Sequence, residues 1–99
     1  PKHVAPDGGE WLHVLGDDVR VLVSGAETGG AFAVVETNTQ PGFGPPLHVH
    51  TREDETFVVL EGKVEFTVGD STFVLEPGHF AYGPKGVPHR FQTVGDTPA

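Results

Sequence analysis

Ninety-nine residues are enough for one domain with an adequate core, and seven Phe, one Trp and one Tyr argue for a folded chain. Six Lys and Arg against fourteen Asp and Glu give a formal charge of −8, which argues against nucleic acid or an anionic membrane as partner, since no basic stripe is present. Cysteine is absent, so disulfides, thiolate metal sites and thiol nucleophiles are ruled out. No apolar run is long enough to span a membrane and no leader-like segment precedes the domain, which makes a cytoplasmic setting the default expectation. The chain starts at Pro1 and stops at Ala99 just after the turn-like Gly95-Asp96, so a C-terminal strand cut short is a further expectation.

In chain order, residues 1–10 form a lead-in with the turn formers Asp7-Gly8-Gly9, and residues 11–99 read as one barrel domain. Trp11 to Leu15 is strand-like and ends at Gly16-Asp17. Val19, Val21 and Val23 alternate with Arg20 and Ser24, the pattern of a half-buried strand. Ala31 to Asn38 is apolar on both faces in its first half, as expected of a strand covered on both sides. A Pro/Gly-rich loop, Thr39 to Pro46, delivers the chain to His48. Glu55 to Leu60 and Lys63 to Val68 read as a hairpin around Gly62, with Val64, Phe66 and Val68 facing one way. Phe73 and Leu75 continue the alternation after Gly69-Asp70, and Pro84-Lys85-Gly86 leads into His89, Phe91 and Thr93. No segment carries a 3.6-residue period. Many short strands with regular turns predict an all-β sandwich or small barrel.

The chemistry concentrates in His48-Val49-His50, Glu55 and His89. Histidines at i and i+2 of an extended segment share a face, with Cα atoms about 6.6 Å apart, so both imidazoles can converge on one ion. Glu55 follows after four residues and a third histidine arrives on another segment. Three neutral nitrogens and a carboxylate suit a single divalent transition metal, with Fe, Mn, Ni, Co, Cu and Zn all compatible. A lone strand histidine is more often structural than a ligand; the joint spacing is what carries the argument. His3, His13 and His79 fall outside the spacing and read as exposed or locally hydrogen-bonded. Glu53 and Asp54 read as a solvated acidic patch. By alternation Phe57 and Phe91 share the ligand face, with Phe66 and Tyr82 as neighbours, an apolar lining that would hold an organic substrate.

The run Gly42, His48, His50, Glu55, Gly62 matches in full the first motif of the cupin superfamily, G(X)5HXH(X)3–4E(X)6G, and the chain resembles that superfamily. The second motif, G(X)5PXG(X)2H(X)3N, is met by Gly78, Pro84, Gly86 and His89, with Thr93 where the family pattern has Asn. That Asn is not a ligand, so the departure bears on packing rather than on the metal. The resemblance implies a small barrel or jelly roll of two antiparallel sheets, with His48, His50, Glu55 and His89 as metal ligands inside it.

Four protein ligands leave one or two positions open on a five- or six-coordinate ion, which distinguishes a reactive site from a closed structural one. The expected function is a metal-dependent dioxygenase resembling the small quercetinase-like cupins, acting on an aromatic, flavonol or diketone-like molecule, with Glu55 as ligand and general base. Two alternatives stand beside it: a cupin isomerase or lyase, and a non-catalytic module that binds a metal or small ligand. A homodimer is expected, because exposed strand edges are commonly covered by pairing.

Overall fold

The structure is a computed structural model and describes residues 1–14, 16–45, 49 and 53–99. Eight strands account for nearly all its regular structure: β1 (Leu12–Val14), β2 (Asp17–Val23), β3 (Val34–Thr39), β4 (Glu55–Val58), β5 (Lys63–Val68), β6 (Ser71–Leu75), β7 (Phe80–Gly83) and β8 (His89–Val94). The helical content of the described residues is one 3-10 turn, Ala26–Thr28. The all-β expectation holds, with strands in sheets ordered β1-β2-β3, β4-β7 and β6-β5-β8. The chain divides into two compact units, residues 1–38 and 39–99.

In the first unit β1 and β2 form an antiparallel hairpin with His13 opposite Asp18. The alternation along β2 is present, but the side chain it buries is Arg20 rather than a valine. Its guanidinium donates to Glu36 Oε1 (2.8 Å from Nε) and to the backbone carbonyls of Ala5, Pro6 and Gly8, and it lies 4.9 Å from the Trp11 ring centroid. The lead-in is therefore tied down through its carbonyl oxygens. Leu12, Val14 and Val21, on the opposite face, are exposed. The strand expected from Ala31 begins only at Val34, because the Thr28 hydroxyl bonds both the N–H and the C=O of Phe32 and holds that residue in the turn. Its apolar residues Val34 and Val35 are exposed, so the expected cover on both faces is not found.

The second unit carries the hydrophobic core. Phe66 at the centre of β5 is fully buried, and Val59, Leu75 and Ala81 join it, with Phe57, Val64, Val68 and Phe91 packed around them. The register explains this: β5 is flanked by β6 (Phe66 opposite Phe73) and by β8 (Phe66 opposite Phe91), so one face of the three strands meets in a layer. Burying such a phenylalanine contributes roughly 2–3 kcal/mol.

The hairpin expected around Gly62 is not formed. β4 pairs with β7 instead, and β5 belongs to another sheet. Backbone bonds of Val59 with His79 and Gly78 carry the β4–β7 association past the strand end. Gly62, at φ 75°, turns the chain from one sheet to the other, and a Cβ there would lie 2.5 Å from the Pro98 carbonyl oxygen. It is a crossing point, not a hairpin tip. Upstream, Gly42 and Phe43 exchange backbone bonds with Thr93, which anchors the loop leading towards His48 on the strand that carries His89.

Candidate metal centre

Glu55 and His89 each open a strand. Glu55 is the first residue of β4, opposite Gly83 of β7; His89 is the first residue of β8, opposite Val68 of β5. They meet with Oε1 and Nε2 3.6 Å apart, the imidazole side chain 1% exposed and the carboxylate 28%. His48 and His50 lie outside the described residues, among which no group of three or more His, Cys, Asp or Glu converges.

The imidazole is oriented from behind. Its Nδ1 lies 3.2 Å from the Val87 carbonyl oxygen, which can only accept, so Nδ1 is the donor of that contact and Nε2 is the atom turned to Glu55. A backbone carbonyl fixing the tautomer in this way is the arrangement typical of metal-ligating histidines. An imidazole nitrogen and a carboxylate oxygen facing each other at this distance can share a cation or a proton. The pair fits a divalent transition metal, for which both donor types are ordinary ligands.

The surroundings of the ring are equally specific. Phe57 meets it edge-on at 6.0 Å and Phe66 stacks at 6.1 Å, and Phe57 also contacts Phe66 (4.8 Å) and Phe91 (5.4 Å). Of the four aromatics expected beside the ligands, Phe57 and Phe66 thus contact the His89 ring, and Phe91 packs on Phe57. Tyr82 is placed differently. It lies opposite Thr56 on the outward face of the β4–β7 pair, half-exposed, while Phe57 and Ala81 face inward. Gly83 leaves room for the imidazole: a Cβ at that position would lie 3.3 Å from Nδ1.

Asp54, expected in a solvated acidic patch, has a definite task. Its Oδ1 accepts the Lys85 backbone N–H at 2.9 Å. The Lys85 N–H, aided by the Tyr82 hydroxyl and the Lys85 charge, holds the Asp54 carboxyl below its usual range against a smaller opposing effect of burial. Burial first, then the bond to Asp54, pushes the Tyr82 phenol up. No sequence pattern signals a carboxylate bonding to a backbone amide across 31 positions.

His13 bonds Asp18 (Nδ1 to Oδ1 2.5 Å), in line with the local role expected of it. These two line, with Trp11 and Asn38, an open cleft of about 420 Å³ in the first unit that contains none of the expected ligands.

The Cupin domain family profile matches residues 35–99, and the chain belongs to the cupin family. Over 72 residues it is 36% identical to quercetin 2,3-dioxygenase of Bacillus subtilis (strain 168), covering 73% of this chain but 21% of that protein. The chain thus spans about a fifth of that relative's length. Among solved structures, KdgF from Halomonas sp. superposes with TM-score 0.85 at 17% identity, over 99% of this chain and 86% of that one. A formate complex of Lactobacillus farciminis oxalate decarboxylase gives 0.73 at 22% identity, over 90% of this chain and 28% of that one. The fold is the cupin jelly roll.

Proposed function

We propose that the protein is a metal-dependent cupin oxidoreductase of the dioxygenase type, acting on a small aromatic, flavonol or diketone-like substrate. His48, His50, Glu55 and His89 hold one divalent transition metal ion. The observation that carries the reading is the facing pair of Glu55 and His89, with the histidine tautomer set by Val87. Similarity to a quercetin 2,3-dioxygenase favours this reaction class over the others open to the fold.

Once bound, the ion supplies Lewis acidity and orientation for a substrate hydroxyl or enolate. The chain supplies the remainder. Glu55, the more exposed member of the pair, accepts the substrate proton on its carboxylate. Phe57 and Phe66 pack against His89, which excludes water on that side, and the partly buried Phe57 and Phe91 offer ring faces to a flat organic molecule.

Elemental analysis of protein purified without a metal-affinity tag, paired with an oxygen electrode, tests the reading. About one equivalent of transition metal and steady O2 uptake with flavonols, diketones or catechol-like acids are expected. No uptake across that panel by metal-loaded protein overturns the dioxygenase assignment. Turnover under anaerobic conditions would assign an isomerase or lyase instead, and tight ligand binding without turnover a binding module. His89→Ala should lose the metal, and the thermal stabilisation that metal confers by mass action should vanish with it.

A further inference from the structure

Glu55 and His89 reach their common point from two different sheets, since β4 pairs with β7 and β8 with β5. No ladder connects their strands directly. The covalent path between them is short: Gly83, the β7 residue opposite Glu55, is followed by Pro84 to Pro88 and then by His89. The shape of that five-residue turn therefore sets how the imidazole meets the carboxylate.

Several bonds shape the turn. Val87 N–H donates to the Pro84 carbonyl at 3.2 Å, Gly69 N–H to the Pro88 carbonyl at 2.9 Å, and His89 Nδ1–H to Val87. All of these act within the turn or hold it to the β5–β6 hairpin. Among the described residues, the side-chain bond that ties the turn to the segment bearing Glu55 comes from Asp54, through the Lys85 N–H. Successive side chains of an extended segment point to opposite faces. Asp54 thus reaches outward round the strand end, beside Tyr82 on the outward face, while Glu55 points inward to His89.

We infer that Asp54 is a positioning residue for the metal centre: its carboxylate clamps the Pro84–Pro88 turn onto the start of β4 and so holds Glu55 and His89 at their mutual distance. The inference rests on the metal reading above. It gives an outward-facing, solvent-exposed acid a function that neither ligand spacing nor burial would assign. Tyr82, on the strand that ends in Gly83, is the neighbour whose phenol the Asp54 carboxylate influences, and its removal probes the same corner.

Titration of the full chain with Co²⁺, followed by visible absorption and by calorimetry, decides the matter. Wild-type protein, Asp54→Ala, Asp54→Asn, Tyr82→Phe and a neighbouring charge control, Glu53→Ala, are compared. The clamp predicts that Asp54→Ala weakens Co²⁺ binding by about tenfold and alters the ligand-field bands, as loss of an outer hydrogen bond does at metal sites. Asp54→Asn, whose amide oxygen still accepts from Lys85, should recover most of the affinity and the wild-type spectrum. Glu53→Ala should stay within about twofold of wild type, a bound set by the small effect of an exposed charge. Equal losses in Asp54→Ala and Glu53→Ala would reduce the effect to charge and overturn the inference; so would Asp54→Asn as weak as Asp54→Ala. Should Asp54→Ala fail to fold, Asp54→Asn and Tyr82→Phe carry the test: Tyr82→Phe must lower affinity measurably while Asp54→Asn does not, and the reverse order overturns the clamp. Wild-type protein that does not bind Co²⁺ would overturn the metal reading itself, an outcome distinct from any difference among variants.

Discussion

Among the described residues, the buried side chain of 1–38 is an arginine, and the largest one in 39–99 is a phenylalanine. The first unit is organised by directional bonds that converge on Arg20 from Glu36 and three backbone carbonyls. The second is organised by an aromatic layer around Phe66, and the candidate ligand His89 is part of that layer. Geometry at the site thus follows from close packing, which tolerates little displacement. In the first unit it follows from a hub whose contributions depend on every partner being present.

Truncation of each hub should separate the two modes. Phe66→Ala should cost about 3–5 kcal/mol in urea denaturation and loosen metal binding, because it removes the ring stacked on His89. Arg20→Ala should cost less, about 2 kcal/mol, since Glu36 keeps some access to solvent and the freed carbonyls can be hydrated. Arg20→Lys should not restore the loss, because an ammonium cannot reach a carboxylate and three carbonyls in the fork geometry of a guanidinium. A larger loss for Arg20→Ala than for Phe66→Ala would invert the comparison.

Two smaller changes sharpen it. The Thr93 hydroxyl is buried without a hydrogen-bond partner among the described residues, although the Thr93 backbone is bonded to Gly42 and Phe43. Thr93→Val should therefore stabilise the protein by about 1 kcal/mol, seen as a melting temperature higher by several degrees. A decrease would mean that the hydroxyl has a role the packing does not reveal.

The smallest effect belongs to the first unit. The Lys2 ammonium, with help from the Ser24 N–H and hydroxyl, holds the Glu27 carboxyl below its ordinary value of 4.5. A depressed carboxylate contributes stability that is present above the unfolded value and is lost as pH falls through the folded one. An NMR titration should place the Glu27 midpoint below 4.5, and Lys2→Ala should raise it. An unmoved midpoint in that variant would remove Lys2 as the cause.

Much of the second unit was legible because its signals are local. Alternation in Lys63–Val68 and His89–Val94 marks strands whose neighbours share one face, and the spacing of His48, His50, Glu55 and His89 marks a candidate ligand set. Two of those four candidates lie outside the described residues; the structure brings together the other two. At Gly62 the turn signal says where the chain bends, not which strand it then pairs with. Alternation ranks faces by hydrophobicity and so puts Arg20 on the solvent side, but a guanidinium supplied with enough acceptors reverses that ranking. Proximity to the motifs groups Tyr82 with Phe57, whereas the β4–β7 register puts the two on opposite faces.

Position 83 shows what this packing means for sequence drift. The family spacing leaves that residue unspecified, one place before Pro84. Yet the His89 ring occupies the space a side chain would need, and even a methyl group would force the imidazole to shift by a few tenths of an ångström. Mutational tolerance there is governed by volume alone. A lineage that acquired valine at this site would keep every residue of both motifs and still lose the geometry they encode.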